Sequence, residues 1–442
     1  MSKLFDTFKI KMKYEKINSD LFIYNRSLLF KNLESNSLSV FNSNDIMPTN
    51  SDGNMPFVQN SDLFWLTGID QEESILLLYK GKSNNDTKEL LFIKKTNEHI
   101  AIWEGAKLTK KQATNTSAIN NIYWLDEFDQ KLNSLVLQAE HIYLNKNIHS
   151  RATSKTQTRD DRFRLMIQRK YPNKKICEIA PTLHELRAVK SDEEIALMQN
   201  ACNITEQGFR RILSIIKPGI MEYEIEAELI HEFISSRSSR FAYQPIIGSG
   251  KNSCVLHYID NNNRCENGDI LLMDFGAEYA NYASDLTRTV PVNGVFSKRQ
   301  KEVYNSVLHV MKEARKMLNA GVLLKDYESE VGKIMASELI KLKLIDKHDI
   351  IKQDAKRPAY KKYFMHGTSH YLGLDVHDVG NPKLPIQNGM VFTCEPGIYI
   401  LEEELGVRIE NNILVTNNGP LDLTKNVPIE VEEIEMLMMA SK

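Results

Sequence analysis

Long hydrophobic runs are missing from this chain. Nowhere does an apolar stretch approach the roughly 20 residues that a membrane-spanning helix needs. Residues 1–20 carry lysines but no apolar segment of signal-peptide length. A charge imbalance is missing too: 56 Lys and Arg stand against 58 Asp and Glu, a formal net charge of −2. That balance gives no electrostatic case for binding nucleic acid or an anionic membrane. Cysteines are few, five in all, and widely spaced. An odd, scattered set excludes a disulfide framework and suits a reducing compartment, so a cytoplasmic location is expected. No short-period repeat or low-complexity tract interrupts the sequence. What remains is an ordinary globular composition, 42% hydrophobic and 26% charged, over 442 residues, enough for two or three domains.

Residues 1–181 read as one α/β domain. Residues 21–30 have a helical pattern and 38–41 a strand pattern, followed by a loop over 42–60 rich in Asn, Ser, Asp and Pro. The apolar run 74–79 and the run 89–93 flank a turn containing Gly81, Asn84, Asn85 and Asp86, the pattern of a hairpin. Short strands are expected at 122–125 and 141–144, and a helix at 162–170. Nothing in this half clusters ligands, and its expected role is structural or oligomeric. Pro181 marks the expected boundary. Beyond it, over 182–442, Ser191 and Glu194 form a capping box for a helix running to about 215, which Lys217-Pro218-Gly219 stops. Further helices are expected at 222–235, 296–320 and 326–344.

The chemistry concentrates in this second half. In ILLMDFGAEYANYASDLTRTV, residues 270–290, two strand-like runs carry Asp274 and Asp285. If they pair antiparallel about Tyr279 and Ala280, the two carboxylates face each other. Like charges opposed across a ladder are destabilising, and buried ones share a proton or hold a cation. The plainer alternative is that one aspartate is exposed and the other caps a turn. Residues 365–378, MHGTSHYLGLDVHD, hold three of the eleven histidines, His366, His370 and His377. Imidazole is the usual nitrogen ligand and the usual acid–base group near neutral pH, although solvated loop histidines would read the same way. Glu395 ends another buried run, where it could simply face water. Arg408 and Glu410 share a strand face by the period of two, as a surface ion pair also would. Together, four buried strands each deliver one carboxylate, giving a charge that two divalent cations would balance. An oxygen-rich set with one imidazole favours Mn²⁺ over thiolate-loving Zn²⁺. Two such ions about 3.5–4 Å apart activate a bridging water and clamp a carbonyl oxygen, which is hydrolysis of an acyl bond.

The motifs MDFGAEYANYASDLTRT, HGTSHYLGLDVHD, EPGIY and VRIENN, in this order, resemble those of the aminopeptidase P (Xaa-Pro aminopeptidase) family of pita-bread metallopeptidases. NSDLFWLTG, residues 60–68, is similar to that family's amino-terminal domain. The resemblance is strong beyond residue 182 and weaker before it. It implies an α/β (α+β) chain with a pita-bread catalytic domain over 182–442 and a creatinase-like α/β domain over 1–181. It also implies a homo-oligomer, a dimer or tetramer, acting on peptides with proline in second position. By the same resemblance Asp274 chelates one metal, and Asp285 and Glu410 bridge both. His370 and Glu395 complete the other shell, with Glu395 the proton acceptor. His257 and His377 contact substrate and stabilise the transition state or pass a proton to the leaving nitrogen. His366 borders the prolyl pocket, and Arg408 orients the bridging carboxylate. Asp52 contributes an anchor for the substrate amino terminus, and Trp103 is donated to a neighbouring subunit's site. By the residues alone His257 reads as structural and Trp103 equally well as a half-buried core residue.

Related readings differ in what they require. Prolidase has the same five ligands but must reject longer chains, and no blocking element is legible. Methionine aminopeptidase would not need about 180 further amino-terminal residues, and creatinase-like hydrolases lack the full ligand set. A pita-bread peptide-binding module keeps the fold and loses ligands, whereas this chain keeps all five.

Overall fold

The computed structural model describes residues 13–83, 86–354 and 357–440. Two compact units divide the chain, Met1–Arg187 and Ala188–Lys442. Pro181 does not end a domain. It lies in the first turn of the helix Ala180–Ala188, where its missing N–H has no helical partner to lose, and the division falls at that helix's other end.

The first unit is built on a mixed six-stranded sheet in the order β4-β3-β2-β1-β5-β6. Its strands are β1 Ser37–Asn42, β2 Ile75–Lys80, β3 Thr87–Ile93, β4 Asn121–Trp124, β5 His141–Leu144 and β6 Lys175–Glu178. Strand β2, Ile-Leu-Leu-Leu-Tyr-Lys, is buried along its whole length, as expected for a strand covered on both faces. Ile75, Leu77 and Tyr79 pack with Leu132, Leu135 and Val136 of the helix Phe128–Gln138 and Ile167 of the helix Arg159–Lys170. The expected hairpin joins β2 to β3 with Ile75 opposite Phe92. Gly81 N–H closes its tip on the Asp86 carbonyl at 2.7 Å, while Asn84 and Asn85 lie outside the described residues.

The second unit pairs two three-stranded sheets with long helices. One sheet, ordered β11-β8-β7, consists of β7 Ile246–Ser249, β8 Ile270–Phe275 and β11 Leu286–Pro291. The other, ordered β12-β15-β16, consists of β12 Val391–Cys394, β15 Asn411–Thr416 and β16 Gly419–Asp422. Two hairpins extend them: β9 Glu278–Tyr279 with β10 Tyr282–Ala283, and β13 Gly397–Ile400 with β14 Leu405–Arg408. The helix Asp192–Leu213 starts on the expected Ser191/Glu194 capping box, and Glu222–Ser235, Lys298–Met317 and Leu324–Lys341 follow.

The register around the two aspartates differs from the sequence expectation. Asp274 faces Thr287, and Tyr279 faces Tyr282, so Asp285 falls beside Gly276 rather than Asp274. The cause is the turn. Ala280 and Asn281 both have positive φ, 52° and 67°, as a two-residue type I′ loop requires, and that loop fixes the hairpin's centre. The displacement is two residues along one strand, so both carboxylates stay on the same face as a diagonal pair. Gly276 allows the close approach: a Cβ there would sit 1.9 Å from the Ser284 carbonyl oxygen. Replacing Gly276 by alanine should therefore destabilise the protein by about 1–3 kcal/mol, read as a lower midpoint in thermal or urea unfolding. An unchanged midpoint would show that the hairpin relaxes freely.

Candidate functional site

Each site carboxylate stands at or next to the end of a strand, where the side chain clears the ladder, whereas His370 lies in an irregular segment. Asp274 is the one carboxylate inside a strand; Asp285 precedes β11, Glu395 follows β12, and Glu410 lies between β14 and β15. This refines the expectation of one carboxylate within each of four strands. The two sheets are stitched together here, Glu410 N–H donating to the Thr287 carbonyl at 3.1 Å.

The groups converge. Ligand atoms of Asp285, His370 and Glu410 all lie within 4.8 Å of one another. His370 Nε2 is 3.5 Å from Asp285 Oδ2 and 3.5 Å from Glu395 Oε1. The Tyr243 hydroxyl is 2.5 Å from both Asp274 Oδ1 and Asp285 Oδ1, closing the chain of five residues. His370 Nδ1 is 2.9 Å from the Tyr371 carbonyl, which keeps a proton on Nδ1 and turns Nε2 toward the carboxylates.

Arg408 is buried and its carboxylate partner is Asp274, with Nη2 to Oδ2 at 2.5 Å. It reaches Glu410 by hydrogen bonds through Thr287, Nε donating to Thr287 Oγ1 at 3.1 Å and that hydroxyl donating to Glu410 Oε2 at 2.7 Å. Arg408, expected to orient a bridging carboxylate, thus reaches Glu410 by a relay. Arg408 Nη1 also donates to the Tyr399 hydroxyl at 2.8 Å, and that hydroxyl meets His366 Nε2 at 2.8 Å. Glu395 Oε2 is 3.9 Å from His366 Nδ1. His377 packs its ring edge-on to His370, centroids 4.4 Å apart. Beside it Asp378 forms a buried ion pair with Lys190 at 3.0 Å. His257 is exposed and near enough to His366 to lower its basicity.

The electrostatics follow from burial. Burial raises the Asp274 carboxyl although Arg408 pulls it down, and raises Glu410 well above the usual range, reinforced by Asp285 and Glu395. It pushes Glu395 up to about 7, against the pull of His370. Burial lowers His370, but Asp285 and Glu395 outweigh it and hold the imidazole above its ordinary value. His366 is pushed down to about 3 by burial and by Arg408.

Several contributors carried little sequence signal. Tyr243 stands 31 residues before Asp274 in an irregular segment. Asn412 brackets the Asp285 backbone, accepting from its N–H at 3.1 Å and donating to its carbonyl. Arg288, fully buried, donates to the Glu410 carbonyl at 2.7 Å and to Asn411 Oδ1 at 2.7 Å. Thr287, Arg288 and Asn412 sit inside the quoted motifs, where hydrogen-bonding residues beside carboxylates were the available clue.

A divalent cation fits this donor set. Glu410 Oε1 is buried without a hydrogen-bond partner, and an orphaned buried carboxylate oxygen beside two more carboxylates and an imidazole lone pair is what a hard cation would satisfy. Asp52 and Trp103 belong to the first unit. Asp52 is exposed in the loop closed by the Pro48–Asn54 bridge. Trp103 ends the helix Glu98–Trp103 with 76% of its surface exposed, so it is not the half-buried core residue considered above.

Comparisons with known proteins agree with this arrangement. Residues 196–417 match the sequence profile of Metallopeptidase family M24, and residues 22–143 that of the Aminopeptidase P N-terminal domain. The Xaa-Pro aminopeptidase of Haemophilus influenzae is 35% identical over 438 residues, covering 96% of this chain and 98% of that protein. The Escherichia coli Xaa-Pro aminopeptidase is 33% identical over 442 residues, covering 97% and 99%. A zinc-substituted E. coli aminopeptidase P in complex with product superimposes with a TM-score of 0.87 at 32% identity, over 97% of this chain and 100% of that one. The second unit has the pita-bread metallopeptidase fold. The chain belongs to metallopeptidase family M24, in its aminopeptidase P branch.

The raised carboxyls give a stability prediction for the metal-free protein. A carboxyl with a higher pKa in the fold keeps a proton that the unfolded chain has released, so stability falls as pH rises through that window. For Glu395 the window runs from 4.5 to about 7. Thermal melts should show the metal-free protein more stable at about pH 5 than at about pH 8. A divalent metal, which replaces those protons, should raise the melting temperature more at the higher pH. The buried His366, lowered to about 3, works the other way below 6.5, so the opposite pH trend in both the parent and a His366→Gln chain would exclude buried protonated carboxyls in the metal-free site.

Proposed function

We propose that this chain is a dinuclear metal-dependent Xaa-Pro aminopeptidase, hydrolysing the peptide bond between an N-terminal residue and a following proline. The observation that carries it is the grouping of Asp285, His370 and Glu410 within ligand distance, with Glu395 beside His370, Asp274 joined to Asp285 through Tyr243, and one Glu410 oxygen buried without a hydrogen-bond partner. These five side chains would hold two divalent ions, and their oxygen-rich character favours Mn²⁺. When bound, such a pair supplies activated water and a polarised carbonyl. Glu395, between His370 and His366, is placed to take a proton on its carboxylate. His377, against His370, and His257 are the groups proposed to face the substrate carbonyl and the leaving nitrogen. Arg408 fixes Asp274 and, through Thr287, Glu410, so a neutral replacement would loosen both.

Proline in second position makes the scissile bond a tertiary amide with no N–H and a fixed φ. His366, backed by the Phe364 ring at 4.8 Å and by Tyr399, offers a flat surface suited to such a ring. Asp52 is the proposed anchor for the substrate amino terminus. Trp103, exposed beside Ile102 at 78%, is suited to contact a second copy of the chain, in a homodimer or homotetramer. Cysteine usage supports a cytoplasmic setting, and no helix among the described residues is long and apolar enough to cross a membrane. Peptides are the proposed partners, with no role for nucleic acid or membrane.

Asp285→Asn and Glu410→Gln each remove a charge shared by both proposed cations and should abolish turnover while leaving a folded protein by circular dichroism. Near-wild-type turnover in both would refute the site. The Mn²⁺-loaded protein should release Xaa from Xaa-Pro-Yaa-Zaa and leave Xaa-Ala-Yaa-Zaa intact, with products identified by mass. Cleavage of Xaa-Pro dipeptides alone would make it a prolidase. No cleavage with metal bound would make it a peptide-binding module.

A further inference from the structure

Residues 366–370 carry His366 and His370 without regular secondary structure. Thr393 pins the His370 end, its hydroxyl accepting from the His370 N–H at 3.1 Å and its own N–H donating to the His370 carbonyl at 3.0 Å, and a carboxylate outside the site holds the residues between the two histidines. Glu328, on the helix Leu324–Lys341, accepts from the backbone N–H groups of Thr368 at 2.8 Å and Ser369 at 3.2 Å on one oxygen, and from the Thr368 hydroxyl at 3.1 Å on the other. Two successive amides converging on one ionised oxygen form a nest, and charged acceptors make the stronger bonds. The same peptide unit reaches the site from its other side: the Thr368 carbonyl accepts from Glu395 N–H at 2.8 Å. Two neighbours complete the brace. The Tyr327 hydroxyl lies 2.9 Å from Ser369 Oγ, and Lys361 Nζ donates to the His366 carbonyl at 2.8 Å.

We propose that Glu328 is a positioning residue, clamping the Thr368–Ser369 amides so that His366, His370 and Glu395 keep their mutual geometry. It belongs neither to the proposed ligands nor to the groups proposed to face the substrate, and it acts on three site groups through two residues, Thr368 and Ser369. The proposal rests on the metallopeptidase reading for its kinetic consequence but not for its structural one. Removing the carboxylate leaves two backbone donors without their acceptor and frees the segment that presents the His370 lone pair.

The test compares full-length Glu328→Ala, Glu328→Gln and Glu328→Asp with the parent chain. Glu328→Ala should weaken Mn²⁺ binding by calorimetry and lower kcat by about 10- to 100-fold, with KM little changed. It should also speed amide exchange at Thr368 and Ser369 in the metal-free protein. Glu328→Gln keeps an oxygen for both amides and can donate to the threonine hydroxyl, so it should stay close to the parent on all three readouts. Should the alanine variant not fold, Glu328→Asp, which draws the carboxylate back by one methylene, should fall between alanine's expected loss and the parent. Parental metal affinity, kcat and exchange in Glu328→Ala or Glu328→Asp would overturn the clamp, and so would a glutamine variant as impaired as alanine. A parent chain that binds Mn²⁺ and cleaves nothing would remove the functional reading, while affinity and exchange in the variants would still decide the role of Glu328.

Discussion

Four carboxylates held together away from water are the constraint on which the second unit depends. Isolated, each would be driven to neutrality by desolvation, and together they repel. The fold meets this in three ways. Arg408 lies against Asp274 at 2.5 Å, the Tyr243 hydroxyl stands between Asp274 and Asp285, and His370 sits between Asp285 and Glu395. One oxygen, Glu410 Oε1, is left without any of these. The protein scaffold thus satisfies most of the site and leaves a remainder with the shape of a hard cation's preference.

Holding such a cluster requires stiffness where the chain is least regular. Three of the four carboxylates sit just outside their strands, so the sheets alone do not fix them. The surroundings do so through backbone groups: Asn412 on both sides of the Asp285 peptide, Arg288 on the Glu410 carbonyl, and Thr368 on the Glu395 amide. Buried, Arg288 acts as a fork of donors aimed at carbonyls and at Asn411. Orientation of the peptide units, more than of the side chains, is what these contacts determine.

Legibility in the sequence followed this division. Apolar runs ending in acids announced the strands with Asp274 and Glu395, and a second strand-like run pointed to Asp285, because burial and charge are both written in residue type. The helix at Ser191 was readable from its capping box, and the β2–β3 hairpin from its flanking runs. The register was not, because it depends on which two residues take positive φ, and Ala280 is a poor advertisement for that. Tyr243 and Glu328 were invisible for another reason: each reaches the site across the tertiary fold from a segment whose local pattern is complete without it. Arg408 was found, but its ion pair with Asp274 was not, since the two stand 134 positions apart in the chain.

The type I′ tip at Ala280-Asn281 has a consequence for how this family's chains could vary. Strand faces alternate with a period of two, and Asp274 and Asp285 must look the same way. A residue added at the tip itself would only lengthen the loop and leave this pairing as it is. A residue inserted within the paired segments, between Asp274 and the tip or between the tip and Asp285, would, unless a bulge absorbed it, turn one aspartate to the opposite side of the sheet, into the layer occupied by Met273 and Leu286, both of which are fully buried. The distance of each aspartate from the tip, more than the size of the loop, keeps the two carboxylates on one face.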